Sequence, residues 1–175
     1  MRDSWRAAFL DMVNALLADA GRYAVTLPRP AAAIRDWFTA QAAVLDEVTT
    51  PVLVHFDLWD GNILVESGPA GRRIGALIDA ERAFWGDPLA EFVSLALFAD
   101  IEQDTAFLHG YRAAGGTVTF DLAARQRLSL YWAYLYLIMW VEVAPRQYGR
   151  ERRDWLVDQV FQPLSAAFGD GSPHR

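Results

Sequence analysis

With 175 residues, the chain has room for one ordinary domain and a sizeable core. It is 53% hydrophobic and 22% charged, without cysteine, which is a globular composition that excludes disulfides and thiolate metal sites; its isolated histidines, His55, His109 and His174, give no zinc spacing. A formal charge of −6 argues against nucleic acid as a partner and suits a cationic small molecule.

Taken in chain order, residues 4–20 read as a helix. Ser4 can cap it, Trp5, Phe9, Met12, Val13, Leu16 and Leu17 recur at helical spacing, and Gly21 is placed to end it. Asp3, Arg6, Asp11 and Asn14 interrupt this segment, so it does not read as a signal peptide. Pro30 can begin a second helix, which Ile34, Trp37, Phe38, Val44 and Leu45 carry to about Glu47, before Thr49-Thr50-Pro51 breaks it. Short β-type runs follow at 52–54, 62–65 and 74–78. Ser67-Gly68-Pro69-Ala70-Gly71 between the last two is turn chemistry, so they are expected to form a hairpin. Asp87-Pro88 reads as the cap and first position of a helix running to about Phe98. Further helices are expected near 103–113, 121–143 and 151–167, with Pro163 kinking the last and a frayed tail over 169–175. The apolar run Leu130 to Val141 is too short to span a bilayer and fits a core helix. The pattern as a whole predicts an α+β chain, mostly helical, that does not enter a membrane and resides in the cytoplasm.

The chemistry-bearing residues sit in and after the first β-type runs. His55-Phe56-Asp57-Leu58-Trp59-Asp60-Gly61-Asn62 matches the H-x-D-L-x-x-x-N pattern of the kinase catalytic loop. In that chemistry an Asp orients or accepts the proton of an attacking hydroxyl, and an Asn oxygen holds a metal that neutralises phosphates. A second metal ligand belongs on a neighbouring element, and Asp79 after Ile78 is placed to supply it. Pairing Val65 near Ile74 and Asn62 near Leu77 puts Asp79 opposite Asp60, within about 7 Å of Asn62 along the strand. Magnesium takes hard oxygen ligands and keeps several waters, so two protein groups plus phosphate oxygens suffice.

Residues 53–97 resemble the aminoglycoside phosphotransferase and choline-kinase-like enzymes, relatives of the protein kinases. The loop from His55 to Leu64 is similar to that family's H-G-D-x-x-x-x-N-I-L, Ile78-Asp79-Ala80-Glu81 to its metal strand, and Gly86-Asp87-Pro88-Leu89-Ala90-Glu91 to the segment after it. Phe56 stands where the family has a small Gly, and Glu91 where it often has Asp. The resemblance implies the C-terminal lobe of a protein-kinase-like fold over residues 1–175, using ATP and magnesium to phosphorylate a hydroxyl of a small molecule. It implies Asp57 as base, Asn62 and Asp79 as magnesium ligands, and His55, Glu81 and Asp87 as supports of the loop.

The chain has no lysine, all 16 of its basic residues being arginine, and no G-x-G-x-x-G. The family's nucleotide-gripping N-terminal lobe is therefore expected to be missing from a truncated chain, leaving an exposed apolar face for that lobe or for self-association. Glu142, after the apolar run, is the candidate for binding an amino group of an aminoglycoside-like compound, amino alcohol or sugar. Tyr131, Trp132, Tyr134, Tyr136 and Trp140 read as core. The rival reading is a non-catalytic, degenerate kinase lobe that binds a ligand or partner.

Overall fold

The computed structural model describes residues 4–69 and 71–170. Most of the expected tail, from 171 on, lies outside them. The architecture is α+β and mostly helical, with two small antiparallel sheets. The chain divides into two compact units. One comprises the described residues up to Thr49 and those from Ser129 on; the other is Thr50–Leu128.

The first unit is helical. Helix α1 (Trp5–Arg22) begins where Ser4 accepts a hydrogen bond from the Ala7 amide, satisfying one of the free donors of the first turn. It passes Gly21 and stops at Tyr23. Trp5, Phe9, Val13, Leu17 and Ala20 form its buried stripe, each of the larger side chains contributing about 1.5–3 kcal/mol by burial. Helix α2 (Ala31–Gln41) starts after Pro30 as expected, but its final part, Ala42–Glu47, tightens into a 3₁₀ turn. Phe9 is the centre of the core: its ring meets Phe38 at 6.0 Å and Tyr131 and Tyr134 at 5.4 Å each. Both tyrosines belong to helix α5 (Leu122–Val141), whose apolar run is largely buried. The Trp5 indole N–H donates to the Tyr131 hydroxyl at 2.8 Å, so this buried polar pair is satisfied internally. The expected helix 151–167 divides into α6 (Arg150–Leu156), a π turn over Val157–Phe161, and α7 (Gln162–Asp170). The interruption lies just before Pro163, which has no N–H to give and whose ring crowds the preceding turn.

The second unit carries the β structure. Strand β1 (Val52–Val54) pairs antiparallel with β4 (Phe84–Gly86), matching Val54 to Phe84. The pattern of residues 84–86 gave no signal of this strand, since three residues are too few for an alternation. Strands β2 (Ile63–Gly68) and β3 (Gly71–Leu77) form the expected hairpin. Ile63 faces Leu77 and Val65 faces Ile74, and Gly75 is the extra residue of a bulge. A Cβ on Gly75 would lie 2.6 Å from Glu66 Cγ, so the bulge and the glycine go together. The bulge shifts the register beyond it by one residue from the expected one: Ile63 rather than Asn62 faces Leu77, and the Ile78 amide donates to the Asn62 carbonyl at 3.0 Å. The helix expected from Asp87 to Phe98 is only α3 (Ala90–Leu95). Phe92 gathers Phe107 and Tyr111 from α4 (Thr105–Ala113), and Phe120, into the unit's aromatic core. Among the described residues no helix is long and apolar enough to cross a membrane.

Candidate active site

The loop from His55 to Asn62 is suspended from α3. One carboxylate does most of this: Glu91 accepts the amide of His55 at 2.6 Å and that of Phe56 at 3.1 Å. Ser94, one turn later, lies 3.0 Å from Glu91 Oε1 and accepts the Leu58 amide at 3.1 Å. Three non-helical N–H groups of the loop, those of His55, Phe56 and Leu58, thus find acceptors on a single short helix, as backbone donors shielded from water must. Neither role was read from the sequence. Glu91 was noted only as a departure from an expected Asp, and Ser94 carried no signal.

Phe56 has φ +61°, the left-handed region that costs a non-glycine residue about 1–2 kcal/mol. This explains why a small Gly is usual there. The Phe ring is 1% exposed and packs on Phe84 of β4 at 5.0 Å, so its burial offsets the backbone strain. His55 crosses to the hairpin. Its Nε2 lies 3.0 Å from the Ile78 carbonyl, and because a carbonyl only accepts, that nitrogen carries the proton. The residue that follows Ile78 is Asp79, so His55 ties the loop to the strand end that bears the second candidate ligand.

Asp57 is held from two sides. Arg82 Nη1 donates to its Oδ1 at 2.9 Å, and Asn62 Nδ2 to its Oδ2 at 3.2 Å and its carbonyl at 2.7 Å. The Arg82–Asp57 pair is largely buried, where an ion pair with good geometry fixes orientation. Nothing in the linear pattern marks Arg82 as the partner of Asp57, from which it is separated by 25 residues. With its amide nitrogen committed to Asp57, buried Asn62 is left with Oδ1 as its unused group. Asp79 has φ +63° and ψ +50°, and its side chain caps nothing; it is exposed. A left-handed aspartate with an uncommitted carboxylate, one residue beyond the partner of Asn62, is a strained position of the kind that clusters at functional sites. Two hard oxygen donors without competing hydrogen bonds fit a magnesium ion that completes its shell with water and phosphate oxygens. Among the described residues no three His, Asp or Glu side chains gather into a self-sufficient metal centre.

The remaining sequence candidates fall around this cluster or away from it. Glu81 is exposed in the 3₁₀ turn Ala80–Arg82, beside Asp79. Asp87 is buried; it accepts the Leu89 amide at 3.0 Å and lies 3.0 Å from Arg127 Nε at the start of α5, so it ties the chain after β4 to that helix. Glu142, just past α5 in the other unit, pairs with Arg146 at 2.9 Å. The hairpin presents Leu64, Val65, Ile74 and Leu77 as exposed apolar side chains.

A family model described as the phosphotransferase enzyme family (APH) matches residues 2–131. No curated protein and no solved structure matches the chain.

Proposed function

Because the chain belongs to the phosphotransferase enzyme family, we propose that it moves the terminal phosphoryl group of ATP to a hydroxyl of a small molecule, on the catalytic lobe of a protein-kinase-like fold. The observation that carries this reading is the end of the β2–β3 hairpin, where Asp57 is oriented by Arg82 and Asn62 while Asn62 Oδ1 and the Asp79 carboxylate are left uncommitted. Asn62 and Asp79 are the residues that would hold magnesium. Bound there, magnesium supplies charge neutralisation at the phosphate oxygens.

The protein's own part is positioning and proton transfer. A carboxylate offers about four lone-pair sites, so Asp57 can keep its two donors and still accept the proton of an acceptor hydroxyl. That proton passes to Asp57 as the acceptor oxygen bonds to phosphorus and the bond to the ADP oxygen breaks. Arg82 and Asn62 prevent the carboxylate from turning away, and Glu91 and Ser94 fix the loop beneath it; such positioning is a large share of phosphoryl-transfer catalysis. The acceptor is an aminoglycoside-like compound, an amino alcohol or a sugar, and the net charge of −6 favours a cationic one.

The test is ATP turnover against a panel of amino sugars, amino alcohols and macrolides, with the chain supplied alone and together with a family member's nucleotide lobe. Transfer to at least one acceptor is expected, and Asp57→Asn should slow it by at least about a hundredfold. A variant rate within about threefold of wild type, under about 1 kcal/mol of barrier, would remove Asp57 as the base.

A further inference from the structure

Arginines gather in α6 and the loop before it. Between 146 and 155 stand Arg146, Arg150, Arg152 and Arg153 against two acids, Glu151 and Asp154, a surplus of two positive charges in a chain of formal charge −6. Three of these arginines already face an oxygen. Arg146 Nε lies 2.9 Å from Glu142 Oε2, Arg150 Nε lies 3.9 Å from Asp154 Oδ2, and Arg153 Nε donates to the Tyr148 carbonyl at 2.9 Å. Arg152 is exposed and, among the described residues, meets no acceptor. What it meets is two rings: its guanidinium carbon is 4.9 Å from the centre of the Trp155 ring and 5.7 Å from that of Tyr148.

An exposed arginine ordinarily samples many rotamers, and an anion that binds it must first order it. Here the ordering is done in advance. Tyr148, Arg152 and Trp155 follow one another at intervals of four and three residues, so the rings come to the guanidinium from the turns on either side of it. Both rings attract the cation within the usual cation–π range, yet neither uses its N–H groups, since a ring face offers no oxygen. The result is a positioned planar fork of donors with nothing to hold, the geometry that takes two oxygens of one anion at once. We propose that Arg152 is the centre of an oxyanion site that takes a phosphate group, two of its N–H groups meeting two phosphate oxygens. The local surplus of two positive charges matches a phosphate dianion better than a carboxylate. The Tyr148 hydroxyl, on one of the rings that Arg152 covers, also has no partner among the described residues and is a further donor. The site lies in the helical unit and owes nothing to the proposed phosphoryl transfer.

The test reads binding and needs no turnover. Seven tryptophans give seven indole N–H signals in a ¹⁵N-correlated NMR spectrum, and Trp155→Phe identifies the one beside Arg152 by removing it. Sodium phosphate is titrated at about pH 8, where the dianion prevails, with sodium chloride withdrawn to keep ionic strength constant. The Trp155 signal should move saturably, with half-saturation at about 1–10 mM, and Arg152→Gln should abolish the movement while the rest of its spectrum overlays that of the wild type. Arg152→Lys keeps the charge without the fork and should weaken binding about fivefold or more. Arg150→Gln, which alters an arginine already facing Asp154, should weaken it less than about twofold. Acetate, with one charge, should bind about fivefold more weakly than phosphate. A Trp155 signal that stands still up to about 50 mM phosphate, or that moves unchanged in Arg152→Gln, overturns the proposal. So does Arg152→Lys binding as well as the wild type, because attraction to diffuse charge would then be enough, and acetate binding as tightly as phosphate would overturn the choice of phosphate.

Discussion

Replacing Glu91 with Gln changes one oxygen for an NH₂ group and leaves size and shape almost untouched. In the native loop both carboxylate oxygens are in use, one on the His55 amide at 2.6 Å and the other on the Phe56 amide at 3.1 Å. In the variant one of these N–H groups must face a donor. A part-buried donor left without an acceptor costs about 1–3 kcal/mol, and losing the carboxylate's charge weakens the bond that remains by about 1 kcal/mol. The sum is about 2–4 kcal/mol, a large fraction of ordinary domain stability. Native-state amide exchange is the suitable assay because it reads the loop site by site. Exchange at His55 and Phe56 should quicken about 30- to 800-fold, the same free energy expressed as a rate ratio. The Leu58 amide, which rests on Ser94, should change less. Unaltered exchange at both His55 and Phe56 would refute the claim that the loop hangs from this carboxylate.

Asp79→Gly separates strain from function: glycine removes a left-handed cost of about 1–2 kcal/mol and adds back about 0.5–1 kcal/mol of chain entropy. Urea unfolding should therefore show stability unchanged or raised by up to about 1.5 kcal/mol while divalent-ion binding is lost, and a clear destabilisation would mean that the carboxylate is structural. Phe56→Gly gives a similar net relief of about 0–1.5 kcal/mol but empties a buried site against Phe84; since losing a core Phe costs about 3–5 kcal/mol, thermal melting should show a net loss of about 1.5–5 kcal/mol, and a gain would mean the ring packs poorly. Glu102 is held below its ordinary carboxylate pKa of 4.5 by the hydrogen bond and charge of Arg125. A depressed folded pKa gives stability above the unfolded value that is lost as pH falls through the folded one, so Arg125→Gln should melt below wild type at about pH 6 and the gap should close below pH 4.5; a gap independent of pH would point to packing instead.

Much of the site's local chemistry could be read in advance because it depends on spacing. His55, Asp57 and Asn62 lie on one short loop, and turn residues at 67–71 fold the following strands back so that Asp79 returns to the same end. What escaped depends on the third dimension. The bulge at Gly75 moved Asp79 by one residue relative to Asn62, and a bulge is legible only as a glycine inside a strand pattern. Arg82, Glu91 and Ser94 act through contacts spanning 25 to 36 residues, and nothing in a linear pattern says which of many acids and hydroxyls will meet a given loop. Helix α3 starts late, after Asp87 turns inward to Arg127 and accepts the Leu89 amide, and it stops at Leu95, short of Phe98, whose φ of +62° is not helical.

Everything proposed for the reaction depends on Asn62 and Asp79 facing a single cation. Manganese, which shares magnesium's preference for oxygen ligands and broadens nearby NMR signals, tests this directly in the chain as it stands. With substoichiometric Mn²⁺ and ATP, the amides around Asp57, Asn62 and Asp79 should broaden first and together, and Asp79→Ala should abolish that pattern. Broadening centred on other acids, or a pattern that survives Asp79→Ala, would contradict the account.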